Sequence, residues 1–285
     1  MNEIAMIEAN GLEFGYLSAG PDSGPLALLL HGFPDTPHSW RHVAKELGAA
    51  GYRVVAPYMR GYAPTSVAPD GAYRAGALAA DANALHEAFG GGADAVLVGH
   101  DWGAPAVYGA IAAEPSRWRR AVAMSMPPTA ALRAGSLSYE QLKRSFYIYL
   151  FQTPVAESVL NADFIAGLWR DWSPGHDEDL RPVFDALRAP ENVAAALGYY
   201  RSMLNPPARR PGRPAAQPLT ASTVPVLYLH GAADGCLSFD AVDPALTNHL
   251  PPGSRHALIA EAGHFLQVDQ PAAVNAEILD WFTAG

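Results

Sequence analysis

Ala95-Val96-Leu97-Val98-Gly99-His100-Asp101-Trp102-Gly103 is the stretch on which the reading of this chain turns. Its first four residues read as a buried strand, and the Ala-rich run Ala104 to Ala113 that follows reads as a helix. Gly99 and Gly103 stand two residues on either side of Asp101. A strand–turn–helix with small residues at those two positions is the elbow that lifts a nucleophile off the end of a strand. The apex residue adopts strained backbone angles, and side chains at the flanking positions would strike the neighbouring strand and helix. Here the apex is a carboxylate, where an esterase carries a serine hydroxyl. Acyl transfer to a carboxylate would give a mixed anhydride. Displacement at a saturated carbon gives a stable ester, so the second chemistry is the expected one.

On the N-terminal side of this elbow, residues 4–8 and 12–17 are short apolar runs joined by Asn10-Gly11, a hairpin signal. Leu26-Ala27-Leu28-Leu29-Leu30 is a strand covered on both faces, ending at His31-Gly32-Phe33-Pro34. That turn suits a cis peptide before Pro34. A helix is expected from Ser39 to Ala50, a strand at Arg53-Val54-Val55-Ala56, and a helix from Arg74 to Phe89. Ala121-Val122-Ala123-Met124 is the strand after the elbow helix. Towards the C-terminus come a strand at Val224 to Leu229, a helix over Phe239 to Leu250 and a strand at His256 to Ile259. The last helix follows Pro271, with Val274, Ile278 and Phe282 on one face. Strands alternating with helices predict a mostly parallel, twisted sheet with helices on both faces.

Between Pro127 and Pro218 the pattern changes. No buried-strand run occurs, and four stretches suit helices: Tyr139 to Phe151, Ala156 to Trp172, Leu180 to Arg188 and Val193 to Leu204. The proline- and arginine-rich run from Asn205 to Pro214 reads as a solvated linker. The expected organisation is an α/β core of residues 1–126 and 219–285, with residues 127–218 inserted as a helical cap.

Composition narrows the field. The chain has 285 residues, 49% hydrophobic, with a net charge of −9. That suits a large core and argues against nucleic acid or an anionic membrane as partner. Cys236 is the only cysteine, which excludes an internal disulfide and a cysteine-rich metal site. Neither a signal peptide nor a membrane span is read, so a cytoplasmic location is expected. The histidines lack ligand spacing, and Gly90-Gly91-Gly92 reads as a helix stop, so neither a metal nor another cofactor is expected.

Three groups at the ends of predicted strands carry the chemistry: Asp101, Asp234 and His264, in the order nucleophile, acid, histidine. His264 would activate the water that hydrolyses the ester, and Asp234 would orient His264 and stabilise its protonated form. The N–H groups of Phe33 and Trp102 are the candidate oxyanion donors. Each residue has a plainer alternative. Asp101 would serve as a helix cap, Asp234 as a turn cap, and His264 as a loop histidine. The glycine frame around Asp101, the Gly263 before His264 and the strand-end positions favour catalysis.

His31-Gly32-Phe33-Pro34, Arg60-Gly61-Tyr62, Gly99-His100-Asp101-Trp102-Gly103-Ala104 and Gly263-His264-Phe265 together resemble the epoxide hydrolases of the α/β-hydrolase fold, over nearly the whole chain. The family usually has Gly after Arg-Gly-Tyr, where this chain has Ala63-Pro64, and often Trp after the histidine, where this chain has Phe265. The resemblance implies two cap tyrosines acting as acids on the epoxide oxygen. Tyr147, four residues before Phe151-Gln152, matches the first, and Tyr200, directly before Arg201, matches the second. A phenol keeps its proton at neutral pH and can hand it to a nascent alkoxide. His31, Pro34, Trp169 and Phe265 are expected around the substrate pocket.

The nearest alternative is a haloalkane dehalogenase, which shares the triad but needs two N–H donors for the halide. Trp102 suits the first donor. Phe33 stands where the second is usually an Asn, leaving Trp169 or Trp172 for that role. A non-catalytic ligand-binding protein on the same fold would not need Asp101, Asp234 and His264 together. The expected partner is therefore a small apolar epoxide or haloalkane. The sequence is silent on the substrate's identity and on oligomeric state.

Overall fold

The computed structural model describes residues 1–132, 137–175, 177–204 and 219–283. Eight strands form one sheet in the order β1-β2-β4-β3-β5-β6-β7-β8. β1 (Ala5–Ala9) and β2 (Leu12–Ala19) form the hairpin, with Asn10 and Gly11 at φ 48° and 72°. β2 runs antiparallel to β4 (Arg53–Pro57). The remaining pairings, through β3 (Leu26–Leu30), β5 (Val96–His100), β6 (Arg120–Met124), β7 (Val226–Gly231) and β8 (Arg255–Ile259), are parallel. From β3 the chain goes to β4 on one side and then to β5 on the other. Such a reversal opens a crevice at the carboxyl ends of the strands.

Successive side chains of a strand face opposite ways, and β3 shows the consequence. Leu26, Leu28 and Leu30 join an apolar cluster with α2 (Ala75–Ala88) and α3 (Gly103–Ala113). Ala27 and Leu29 join the opposite cluster, with α1 (Arg41–Ala49) and α10 (Pro271–Thr283). Both faces are covered, which is why β3, β5 and β7 are buried at every position.

Between β6 and β7 lie α4 (Tyr139–Arg144), α5 (Phe146–Leu150), α6 (Ala156–Val159), α7 (Ala162–Trp172), α8 (Arg181–Ala186) and α9 (Pro190–Leu204). Their buried residues, among them Tyr147, Phe151, Leu168, Trp169, Trp172 and Tyr200, share one apolar cluster with Phe33, Leu28 and Val107 of the sheet region.

Three predicted helices come out differently. Tyr139 to Phe151 breaks at Ser145 into α4 and α5. Ala156 to Trp172 breaks before α7, because the Asn161 side chain accepts the Phe164 N–H and starts a new helix. Phe239 to Leu250 is two short 3₁₀ turns, Phe239–Ala241 and Leu246–His249. Val242 between them is extended and bridges Leu132, and Pro244 has no N–H to continue a helix. The linker expected at Asn205 to Pro214 lies outside the described residues. The Phe33–Pro34 peptide is cis, as the turn suggested, and so is Ala63–Pro64. No helix among the described residues is long and apolar enough to cross a membrane.

Candidate active site

Asp101 sits at φ 49°, a left-handed conformation that costs a non-glycine residue energy. The glycines beside it are sterically required. A Cβ on Gly99 would lie 2.2 Å from the Gly103 carbonyl oxygen, and one on Gly103 would lie 2.2 Å from that of Leu30. β5, β3 and α3 thus close on each other around the elbow and leave the Asp101 side chain at the carboxyl end of the sheet.

The two carboxylate oxygens of Asp101 have different surroundings. Oδ1 accepts the Phe33 backbone N–H at 2.7 Å. Gly32 allows that approach, since a Cβ there would lie 2.3 Å from the same oxygen. Oδ2 lies 3.6 Å from Nε2 of His264, longer than a hydrogen bond. Trp102, next in the chain, leads into α3, whose N-terminal turn favours negative charge at this point.

His264 donates Nδ1–H to Oδ2 of Asp234 at 3.0 Å. The other oxygen of Asp234 accepts the N–H groups of Cys236 and Leu237, at 2.7 and 2.9 Å. All three triad side chains are buried. Burial pushes His264 down, but the Asp234 and Asp101 carboxylates outweigh it and raise the imidazole to about 10. Burial also opposes the charge on Asp234, yet His264 and its hydrogen bonds hold that carboxyl below the usual range. Asp101, Asp234 and His264 therefore form an anion–cation–anion array.

The base is fixed through its backbone too. The His264 carbonyl accepts His100 Nε2–H at 2.8 Å and the Ser125 hydroxyl at 2.7 Å. Its N–H donates to the Trp172 carbonyl at 2.9 Å, and Gly235 N–H, beside the acid, donates to the same oxygen at 3.0 Å. Trp172 ends α7, so this helix holds the loops of both Asp234 and His264. α4 adds a second clamp. Gln141 Nε2 donates to the Cys236 carbonyl at 2.8 Å, its Oε1 accepts Ser238 N–H at 3.0 Å, and Arg144 donates to the Asp234 carbonyl at 2.6 Å. None of these three residues was singled out from sequence for this role. They act through a carbonyl or an amide on predicted helices, which leaves no local motif.

Tyr147 and Tyr200 are brought together, with ring centroids 5.5 Å apart, and both are buried. Their sequence neighbours differ in surroundings. Tyr149 is 49% exposed, and the Tyr199 hydroxyl donates to the Arg60 carbonyl at 2.8 Å. Burial raises both Tyr147 and Tyr200 well above the usual phenol range, and the Asp101 charge adds to it. Both keep their protons at neutral pH. The Tyr147 hydroxyl meets Cys236 Sγ at 3.3 Å. The Tyr200 hydroxyl has no well-formed hydrogen bond, and the Trp102 side chain beside it offsets part of its upward shift.

The remaining candidates fall in two groups. Phe33 and Trp102 present ring edges to Tyr200, at 5.1 and 5.4 Å between centroids. Trp169 lies flat on Phe265, 3.4 Å between centroids, and its indole N–H donates to the Pro34 carbonyl at 2.8 Å. His31, close enough to feel the Asp101 charge, serves as a strut. Its Nε2 accepts Met59 N–H at 2.9 Å, its other nitrogen bonds the Gly32 carbonyl at 2.8 Å, and burial lowers it to about 4, so it is neutral. Asp234, Cys236 and His264 bring potential metal-ligand atoms within 4.8 Å of one another, but Asp234 and His264 are already bonded to each other.

Residues 25–271 match the model of the alpha/beta hydrolase fold family. The chain is 32% identical to epoxide hydrolase A of Mycobacterium tuberculosis, over 98% of this chain and 96% of that one. Among solved structures, epoxide hydrolase A of Mycobacterium thermoresistibile superposes with a TM-score of 0.74 at 29% identity, covering 99% of this chain and 98% of that one. The epoxide hydrolase of Bacillus megaterium superposes at 0.80 with 25% identity, covering 98% and 100%. The fold and the strand-end triad make this chain an α/β-hydrolase. Within that class it belongs to the epoxide hydrolase family, and it is an enzyme.

Proposed function

We propose that this enzyme opens a small apolar epoxide to a vicinal diol through an ester on Asp101. The observation that carries the reading is an elbow carboxylate with a His–Asp pair on one side and two buried, protonated tyrosines on the other. Oδ2 of Asp101 attacks an epoxide carbon, the C–O bond breaks, and a tyrosine protonates the departing oxygen. Oδ1 stays with the Phe33 N–H, becomes the ester carbonyl oxygen and then carries the oxyanion, with Trp102 N–H as the second donor. Residues 127–218 act as the cap that supplies the tyrosines and keeps water scarce during alkylation.

The proton inventory closes. In the free enzyme His264 is an imidazolium, held so by two carboxylates. Esterification makes Asp101 neutral and removes one of them, so the imidazolium becomes a stronger acid and gives its proton up to the tyrosinate. Neutral His264 then takes a proton from the water that attacks the ester carbon. Collapse of the tetrahedral species releases the diol alkoxide, which takes the Asp101 carboxyl proton. Carboxylate, imidazolium and phenol are all regenerated, with one water consumed.

Halide displacement fits the site less well. The Trp169 indole N–H is engaged by Pro34 and Phe33 offers no side-chain donor, which leaves Trp172 as the second halide donor. The deciding experiment is single turnover of His264→Gln with styrene oxide, read by intact mass. The expected result is a protein heavier by one substrate. No adduct, while the wild type makes diol, overturns the covalent route. Tyr147→Phe with Tyr200→Phe is expected to abolish ring opening, and a haloalkane panel scored for halide tests the alternative.

A further inference from the structure

Behind the proposed acid stands a second histidine that the reaction as described leaves unused. Tyr228 and His230 are two residues apart on β7, so their side chains project from one face of the sheet. Both are fully buried. The Tyr228 hydroxyl lies 2.6 Å from His230 Nδ1, and His230 Nε2 lies 2.9 Å from the Leu237 carbonyl oxygen.

The Leu237 carbonyl fixes the direction of both bonds. A carbonyl oxygen only accepts, so His230 Nε2 carries a proton. Burial lowers His230 below the usual imidazole range, so the ring is neutral and Nδ1 is a bare lone pair. Burial also raises the Tyr228 phenol well above its usual range, so it keeps its proton and donates it to that lone pair.

Leu237 is where these bonds meet the acid. Its N–H donates to Asp234 Oδ1 at 2.9 Å, beside the Cys236 N–H at 2.7 Å, while its carbonyl is tied back to β7 by His230. The other oxygen, Oδ2, accepts His264 Nδ1–H at 3.0 Å. His230 Nε2 is 3.6 Å from Oδ2, beyond a hydrogen bond, so its hold on the acid runs through the turn. A shift of that turn moves the oxygen that aligns His264. It leaves alone the Phe33 N–H that holds Asp101.

Resting on the proposed ester route, we infer that His230 and Tyr228 are positioning residues for its hydrolysis half. Tyr228 sets the tautomer of His230, and His230 holds the turn that aims Asp234 at His264. Alkylation of Asp101 does not use this alignment, because the imidazole acts as a base only when water attacks the ester.

The test follows styrene oxide consumption and ester-bound enzyme in single turnovers, by rapid quench and intact mass. His230→Leu is expected to slow ester hydrolysis about three- to tenfold, the size of one lost hydrogen bond, with substrate consumption within about twofold of wild type, so that ester-bound enzyme accumulates. His230→Gln, whose amide N–H can reach the Leu237 carbonyl, restores hydrolysis. Tyr228→Phe leaves either tautomer open to His230, shows a smaller loss at the same step, and carries the expectation if His230→Leu does not fold. Unchanged hydrolysis, equal slowing of both steps, or glutamine no better than leucine overturns the inference and leaves the ester route intact. A His264→Gln enzyme that forms no ester while the wild type makes diol overturns the route itself, and this inference with it.

Discussion

Asp101, Asp234 and His264 stand on backbone that the sheet fixes, whereas Tyr147 and Tyr200 stand on helices held largely by aromatic packing. In the first region, hydrogen bonds specify the geometry atom by atom. Phe33 N–H, the Cys236 and Leu237 amides, His100 and Ser125 each hold a named atom of one of these three residues. In the second region, ring edges do most of the holding, with Phe33, Phe151 and Trp102 around Tyr200 and with Phe151 and Trp172 around Tyr147. Ring packing tolerates substitution better than a hydrogen-bonded charge array. The nucleophile and base are therefore expected to fail sharply when altered, and the acid side by degrees.

The largest effect expected is Asp101→Asn. It keeps the Phe33 contact but removes the nucleophile, and turnover should fall on the order of 10⁴-fold or more, read as diol formation. A residual rate within tenfold of wild type would break the distinction between the regions. Gln141→Ala comes next. It frees the acid loop from α4, and kcat should fall about three- to tenfold with KM nearly unchanged, since the lost contact lies behind Asp234. An effect on KM alone would place Gln141 with the substrate pocket instead.

The smallest effect is in the pH dependence of stability. His264 is raised in the folded protein to about 10, so its stabilising contribution is full below the unfolded pKa near 6.5 and is lost as pH rises towards 10. Asp35, buried and bonded to Ser39, is raised mainly by burial to about 7, so its contribution is lost between about pH 4 and 7. Thermal midpoints should fall across both windows. Asp35→Asn should flatten the lower one and His264→Gln the upper. An unchanged upper limb in His264→Gln would show that the ionic array does not stabilise the sheet region.

The same contrast sets how much was legible in the sequence. Elbow, hairpin and strand positions are short-range matters. Gly99 and Gly103 mark a close approach, and Asn10-Gly11 a left-handed turn, within a few residues of each other. The predicted strands lie within a residue or two of those found. Choosing Tyr147 over Tyr149 and Tyr200 over Tyr199 rested on resemblance, because helical spacing alone does not say that Tyr149 is exposed or that the buried Tyr199 spends its hydroxyl on the Arg60 carbonyl. The clamps from Trp172, Gln141 and Arg144 left no trace, since each joins residues about 60 to 100 apart through main-chain atoms. The break at Asn161 and the loss of the helix over Phe239 to Leu250 were set by capping and by the Leu132 bridge, which periodicity does not register.

The Trp172 carbonyl, shared by Gly235 and His264, has a consequence for traffic through the enzyme. A motion that lifts the end of α7 away from the sheet strips one hydrogen bond from the acid loop and one from the base loop at once. Opening by that route would dismantle the machinery it admits substrate to. Exchange of reactant for diol that keeps the enzyme competent must therefore leave the end of α7 seated, passing beside it while the helix acts as a fixed lintel.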